Sequence, residues 1–364
     1  MSKGNILLCA GGTGGHLFPA EAVAHEMKSR GYTVHLAADE RVERFAGNFP
    51  AEEIHQIRSA TFSSKNPIGM AKTLFTLFSG YVESRRLIKK LSPVVVAGFG
   101  GYPTVPPLLA ASRLKVPTLV HESNAVLGRA NRFLTGRVSK VAIGFGKTNK
   151  VGGIDVTVTG NPVRPAVLEA ARKDYKTPIA GKPFKLLVFG GSQGAAYFSD
   201  ALPKACSLLS KEQRKRLRIV QQARPEDKEA LINAFANLGI KAEVETFFTD
   251  MASRISDAHL VISRAGASTV SELAVIGRPA ILVPYPHALD HDQATNAATV
   301  AAEGGAVIFH QSALTPDVLS DELSSAMSEP KRLALAAKNA KKTGKPDAAH
   351  VLADMLEALI EDKN

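Results

Sequence analysis

Two stretches far apart in the chain share one design. Ile6-Leu7-Leu8-Cys9-Ala10 runs into Gly11-Gly12-Thr13-Gly14-Gly15, and Lys185-Leu186-Leu187-Val188-Phe189 runs into Gly190-Gly191-Ser192-Gln193-Gly194. Each is a short apolar run that ends in a glycine-rich turn and opens a helical pattern. This specifies a buried parallel strand, a tight turn and a returning helix, and the chain begins it twice. Thr33–Ala37, Val94–Ala97, Thr118–Val120 and Lys140–Ile143 continue the alternation after the first start. Arg218–Val220, Leu260–Ser263 and Ala280–Val283 continue it after the second. The expectation is an α/β chain of two Rossmann-like, doubly wound domains facing each other across a cleft. Length agrees, because 364 residues exceed the roughly 250–300 at which a single core stops growing. Pro162, Pro165, Pro178 and Pro183 mark the boundary, giving domains over 1–160 and 161–346.

Charge narrows the function. Lys and Arg outnumber Asp and Glu by 45 to 34, and residues 1–160 hold 20 of those bases but only 10 of the acids. The first half should therefore face an anionic partner: nucleic acid, anionic lipid or a phosphorylated substrate. A nucleic-acid module is disfavoured by the absence of Trp, a 6% aromatic content and the lack of any recognition motif. A hydrophobic content of 45% with 22% charged residues excludes disorder. The uncharged run from Leu91 to Ser112 is broken by Pro93, Pro103, Pro106, Pro107 and three glycines, so no transmembrane helix is expected. Cys9 and Cys206 lie in segments that read as buried, which suits a reducing cytosol, and no signal peptide is visible.

Three glycine turns stand at expected strand ends: 11–15, Gly98-Phe99-Gly100-Gly101-Tyr102-Pro103, and 190–194. Glycine lets a backbone approach a phosphate, and the helix that follows offers free N–H groups. Such turns can also serve strand–helix packing alone, but three at carboxyl strand ends favour phosphate recognition. None has the G-x-G-x-x-G spacing, so although Asp39 could imitate the ribose acid of a dinucleotide site, an oxidoreductase is disfavoured. A fourth turn, Arg264-Ala265-Gly266-Ala267-Ser268-Thr269, precedes a helix expected over Val270–Ile276, with Ser268 or Thr269 as its cap. Glu272, near that helix start, could accept bonds from two vicinal hydroxyls or serve only as a capping-box glutamate.

These motifs, with His16, His121-Glu122-Ser123-Asn124, Gly160-Asn161-Pro162-Val163-Arg164 and Gln293-Ala294-Thr295-Asn296-Ala297, occur in the order seen in one family. The chain resembles the MurG family, the N-acetylglucosaminyltransferases that complete the lipid-linked disaccharide-pentapeptide of peptidoglycan. The resemblance spans roughly residues 5–300 and implies a GT-B fold with an inverting transfer from UDP-GlcNAc. The implied acceptor is the C4 hydroxyl of undecaprenyl-pyrophosphoryl-MurNAc-pentapeptide. Another UDP-sugar transferase acting on a glycolipid is the alternative, because GT-B donor motifs are shared more widely than acceptor motifs. The resemblance also implies a last helix, about 347–364 with Ala348–Glu361 at its centre, that packs back onto the first domain.

Carried over position by position, Ser192 meets the donor phosphates, Arg164 and the backbone near Phe248 hold the nucleoside, and Glu272 takes the ribose. Ala267, Ser268, Thr269 and Val270 surround the sugar-phosphate. Gln293 and Asn124 reach the GlcNAc hydroxyls, and Thr13, Gly14 and Gly15 approach from the facing domain. Phe248 departs from the smaller apolar residue associated with that place, which a backbone contact tolerates. His16, at a helix N-terminus that disfavours imidazolium, is the candidate base, or else only positions the acceptor pyrophosphate. Glu122 is the second candidate base, or a carboxylate that orients His121 or a loop amide. Asp290-His291-Asp292 spells a D-x-D triplet, but GT-B enzymes do not require that metal, and no metal or other cofactor is expected.

A lipid-linked acceptor also implies a peripheral enzyme on the cytoplasmic face of the bacterial inner membrane. Residues 67–91 read as a helix with Ile68, Met70, Ala71, Leu74, Phe75, Leu77, Phe78, Tyr81, Val82 and Ile88 over an unusually wide face. Lys65, Lys72, Arg85, Arg86, Lys89 and Lys90 flank it, which suits docking on anionic lipid. A helix wedged between two packed neighbours would show the same pattern.

Overall fold

The computed structural model describes residues 2–44, 49–61, 66–146, 150–151, 153–191, 196–288 and 292–362. In chain order the first half runs β1 (Asn5–Ala10), α1 (Gly14–Ser29), β2 (Thr33–Ala38), β3 (Glu53–Gln56), α2 (Pro67–Leu91) and β4 (Val95–Gly98). It continues α3 (Val105–Arg113), β5 (Thr118–Glu122), α4 (Arg129–Leu134), β6 (Lys140–Ile143), β7 (Lys150–Val151), β8 (Ile154–Asp155), β9 (Thr157–Val158) and α5 (Pro165–Ala170). The second half runs β10 (Phe184–Phe189), α6 (Ala196–Leu208), α7 (Lys211–Arg216), β11 (Leu217–Gln222), α8 (Lys228–Asn237), β12 (Lys241–Glu245) and α9 (Met251–Asp257). Then come β13 (Leu260–Ser263), α10 (Ala267–Ile276), β14 (Ala280–Leu282), α11 (Asp292–Ala301), β15 (Ala306–Ile308), α12 (Pro316–Ser328), α13 (Pro330–Thr343) and α14 (Ala348–Glu361).

The chain divides into two compact units, residues 1–165 with 345–364, and residues 166–344. The first holds a parallel sheet of order β3-β2-β1-β4-β5-β6-β9, and β7 and β8 form a separate antiparallel hairpin. The second holds a parallel sheet of order β12-β11-β10-β13-β14-β15. Counted within each unit, both sheets repeat the 3-2-1-4-5-6 order of a dinucleotide fold, so both are Rossmann-like and doubly wound.

Strand β1 shows why its sequence is apolar throughout. Ile6, Leu8 and Ala10 pack with Leu17, Val23 and Met27 of α1, while Leu7 and Cys9 face Ile88 of α2 and Leu108 of α3. A strand covered on both sides has no solvent face and so no polar alternation. In the second unit Phe184, Leu186 and Val188 of β10 meet Phe198 and Cys206 of α6, Phe235 of α8 and Leu323 of α12. Both cysteines are free and buried, and burial pushes both thiols up, Cys206 to about 12.

Helix α14 belongs to the first unit. Leu352, Ala353, Leu356 and Leu359 complete the core beside β1. Arg30, at the end of α1, donates to Glu26 at 2.9 Å, Asp354 at 2.7 Å and Glu357 at 2.6 Å. In the second unit the fully buried Arg278 donates to the carbonyl oxygens of Lys173, Ser256, Ile276 and Gly277. Its cation thereby meets the negative C-terminal ends of α9 and α10.

Candidate active site

The first unit builds its site around His16. Residue 16 is the third residue of α1, and its backbone N–H donates to the Thr13 carbonyl at 3.0 Å. The Thr13 hydroxyl lies 3.2 Å from His16 Nδ1. The second glycine turn closes over the ring, tied to the first by the Gly11 amide donating to the Gly100 carbonyl at 3.0 Å. Gly100, at φ +92°, passes so near that an added Cβ would sit 2.9 Å from His16 Cδ2 and 3.2 Å from Nε2. Any side chain there would push the imidazole aside, which is the local reason for Gly100-Gly101. Burial, and secondarily Arg41, lower the His16 pKa to about 4, with Asp39 acting in the opposite direction. Asp39 and Arg41 are themselves an ion pair at the carboxyl end of β2. His16 is therefore a neutral imidazole at physiological pH.

Glu122 closes β5 and is buried with four N–H donors around it. Oε1 accepts from the Asn124 amide at 2.9 Å and the Asn124 side chain at 3.3 Å. Oε2 accepts from the Gly128 amide at 2.9 Å and Asn131 Nδ2 at 2.8 Å. Burial raises its pKa while these donors pull it back, and donors on every side suit the ionised carboxylate. The carboxylate thus shapes the 123–128 turn and fixes Asn124. His121, beside it, is fully buried, holds the Gly160 carbonyl with Nε2 at 3.1 Å, and is lowered to about 4 by burial. Its Nδ1 and the Ser123 hydroxyl have no partner among the described residues. Arg164 also lies in this unit, its guanidinium 3.8 Å over the Phe18 ring of α1.

The second unit places its described candidates beyond the carboxyl ends of β12, β13 and β14. The turn after β13 departs from expectation. Helix α10 starts at Ala267 behind Gly266, which makes no side-chain cap, so Ser268 and Thr269 lie in the first turn and neither is the cap. The small residues Gly266 and Ala267 let the helix begin earlier than polarity suggests. Glu272 is then the sixth helical residue, beyond the reach of a capping box, and is buried. The Ser268 hydroxyl is buried at the helix N-terminus with no partner among the described residues. The turn is latched from outside: Gln293 Oε1 accepts from the Ala265 amide at 3.2 Å and the Tyr285 amide at 2.9 Å. Asn296 donates to the Ala265 carbonyl at 3.3 Å, and Arg264 to Gln311 at 2.6 Å. Gly277, at φ +73°, ends the helix as expected.

Phe248, after β12, is buried beneath the Arg254 guanidinium at 4.2 Å, so its side chain is committed to packing. The third glycine turn follows β10, with Gly191 at φ +85°. Ser192, Gln193 and Gly194 lie outside the described residues, as do Asp290, His291 and Lys65. Asp292 begins α11, and its carboxylate accepts the Gln293 amide at 2.7 Å. Among the described residues, His35, Glu53 and His55 could gather around a metal ion, at the β2–β3 edge rather than at a carboxyl strand end.

Motif reading passes over several bracing residues: Asn131 under Glu122, Arg41 beside His16, Phe18 under Arg164 and Gln311 under Arg264. Only Asp39, the ion-pair partner of Arg41, carries a sequence signal, as an acid at an expected strand end. The others act through contacts between separate segments.

Two doubly wound sheets with glycine turns and helix N-termini at their carboxyl ends define a two-domain α/β protein built to take phosphorylated ligands. The chain belongs to glycosyltransferase family 28. Residues 6–143 match that family's N-terminal domain and residues 185–352 its C-terminal domain. It is 59% identical over 365 residues to the UDP-N-acetylglucosamine–N-acetylmuramyl-(pentapeptide) pyrophosphoryl-undecaprenol N-acetylglucosamine transferase of Agrobacterium fabrum, covering 100% of this chain and 97% of that protein. The Rhizobium etli protein of the same name is 58% identical over 364 residues, with the same coverage. Among solved structures, Acinetobacter baumannii MurG aligns with a TM-score of 0.77 at 32% identity, covering 98% of this chain and 99% of that one.

Proposed function

We infer that this chain transfers N-acetylglucosamine from UDP-GlcNAc to undecaprenyl-pyrophosphoryl-MurNAc-pentapeptide, with inversion, in the synthesis of the peptidoglycan precursor. The end-to-end identity with transferases of that name carries the reading. The geometry supports a mechanism for it. His16, neutral at the head of α1, takes the proton of the acceptor C4 hydroxyl. An arriving pyrophosphate adds negative charge nearby and raises the proton affinity of the ring in the step that needs it. Glu122, its oxygens engaged by four donors, keeps Asn124 in place toward the sugar. Glu272 takes the ribose, and Arg164, held flat on Phe18, takes the nucleoside end. Charge on departing UDP falls to the N-terminus of α10, where amides, the helix dipole and the Ser268 hydroxyl meet it. Ser192 takes the phosphates.

The acceptor's lipid calls for a membrane-facing surface, and the first unit has one. On α2, Ile68 is 78% exposed and Phe75 73%, with Met70, Leu74 and Phe78 also exposed. Exposed Lys72, Arg85, Arg86, Lys89 and Lys90 accompany them. No helix among the described residues is long and apolar enough to cross a membrane. Apolar and basic side chains exposed on one helix support peripheral docking on anionic lipid, which the reading puts at the cytoplasmic face.

The test is radiolabelled UDP-GlcNAc offered with a short-chain analogue of the MurNAc-pentapeptide lipid. Label should enter the lipid product with one UDP released per transfer. Transfer to a different glycolipid, with none to this one, would select the alternative transferase.

A further inference from the structure

The first unit contains a groove of about 560 Å³ between α2, α3 and α4. Leu77, Phe78 and Tyr81 of α2, Val105 and Leu109 of α3, and Phe133 of α4 form its walls. Its volume falls in the range of pockets that enclose a small ligand, whereas docking on a bilayer needs only a flat apolar face.

Three observations identify an occupant. The groove reaches Tyr102, which directly follows the Gly100-Gly101 turn packed on the His16 ring. It also reaches Arg129, next to Gly128, whose amide is bound by Glu122. The groove therefore borders both segments that shape the candidate site. Along its side, Leu74 and Phe78 line the groove and are also exposed, on the helix that presents Ile68 and Phe75. A chain can thus enter sideways from a hydrocarbon phase. At the rim, the exposed guanidinium groups of Arg113 and Arg129 complement phosphate charge.

Resting on the reading given under Proposed function, we propose that this groove holds the first isoprene units of the acceptor's polyprenyl chain, leading from its pyrophosphate toward the bilayer. The protein then recognises the lipid as a chain, in addition to resting on the membrane. Holding the first units orients the pyrophosphate and the sugar beyond it, so chain length becomes part of acceptor selection.

The test compares kcat/KM in detergent micelles for two acceptor analogues, one with a single isoprene unit and one with a long prenyl chain. Wild type should prefer the long chain. Leu77→Trp fills the groove and should lower the long-to-short ratio by about tenfold, the equivalent of two lost buried methylenes. Ile68→Ser with Phe75→Ser, outside the groove, should instead reduce sedimentation with phosphatidylglycerol vesicles and keep the ratio. If Leu77→Trp does not fold, Leu109→Phe fills the same space from α3 and is read in the same way. An unchanged ratio in the filled variant would overturn the proposal. So would competition between phosphatidylglycerol and the long-chain acceptor that Leu77→Trp abolishes, since bulk phospholipid would then be the occupant. Wild type that transfers to neither analogue would overturn the assigned reaction itself.

Discussion

The two units have the same strand order yet differ most in the connection from their third strand to their fourth. In the first unit that connection is α2, 25 residues long; in the second it is α9, with 7. At 1.5 Å per residue, these are about 37 Å and 10 Å of helix. A short helix can be covered by the sheet it crosses, and Ala252, Ile255 and Ser256 of α9 are buried. The long one overshoots: its buried residues are Gly80, Ser84 and Ile88, all in its C-terminal two-thirds. At Gly80 the helix lies so close to the Arg58 carbonyl and Pro106 that a Cβ would not fit. Among the described residues the N-terminal turns, from Ile68 to Phe78, bury no side chain fully, and Leu74, Leu77 and Phe78 only line the groove facing α3 and α4. One topology therefore yields a closed nucleotide-type domain or a domain with an apolar arm, depending on one crossover.

The chemistry divides in the same way. In the proposed mechanism the first unit carries the proton acceptor, His16, and the second the Glu272 carboxylate and the α10 N-terminus that would meet the nucleotide sugar. His16→Ala breaks this division most severely, lowering kcat by roughly 10²- to 10⁴-fold in a steady-state transfer assay while the donor KM changes little. The pH profile sharpens the same point. An imidazolium cannot accept a proton, so kcat/KM should rise with pH through about 4 and be level above it. A limb near 6.5 would assign the titration to an unperturbed histidine elsewhere.

Glu272→Ala probes the other unit. Loss of a charge-assisted bond to the ribose should cost about 2–3 kcal/mol, seen as a raised donor KM with the acceptor KM nearly constant. Equal changes in the two constants would remove Glu272 from the nucleotide site. The smallest effect belongs to the arm. Ile68→Ser with Phe75→Ser should weaken binding to anionic vesicles several-fold, while the thermal midpoint reflects a stability change of no more than about 0.5 kcal/mol. Unfolding of that variant would mean the two side chains are core. Tyr81 is unsuitable for this purpose, because it packs against Ile88, Val105 and their neighbours.

Interior strands were legible in the residues because burial on two faces demands unbroken apolar runs; Lys140–Ile143 and Leu260–Ser263 match residue for residue. The edge strands Glu53–Gln56 and Lys241–Glu245 were not, since one side of each meets water and their charged residues read as loop. Helix 67–91 was legible to both ends, with Asn66 accepting the Ile68 amide at one and Ser92 in the left-handed region at the other. The start of α10 was not, because small residues at Gly266-Ala267 carry no cap signal. Of the candidate site, the glycine turns and the single His and Glu of their motifs could be read. Their partners could not: Asn131 and Gln311 are ordinary polar residues until the fold brings them to Glu122 and Arg264.

By itself the sequence determined the alternation of elements, the doubled strand–glycine start and the surplus of positive charge in the first half. These depend on neighbours within a few residues, where backbone sterics and periodicity act. Tertiary structure alone decided how far burial lowers the His16 pKa, that Glu122 is satisfied four times over, and that α2 leaves Ile68 and Phe75 exposed where it could have been wedged between neighbours. The apolar periodicity of Ala348–Glu361 likewise requires a partner without saying that β1 and α1 supply it. Desolvation, hydrogen-bond saturation and burial are sums over atoms from distant segments, and they take values only once those segments are packed together.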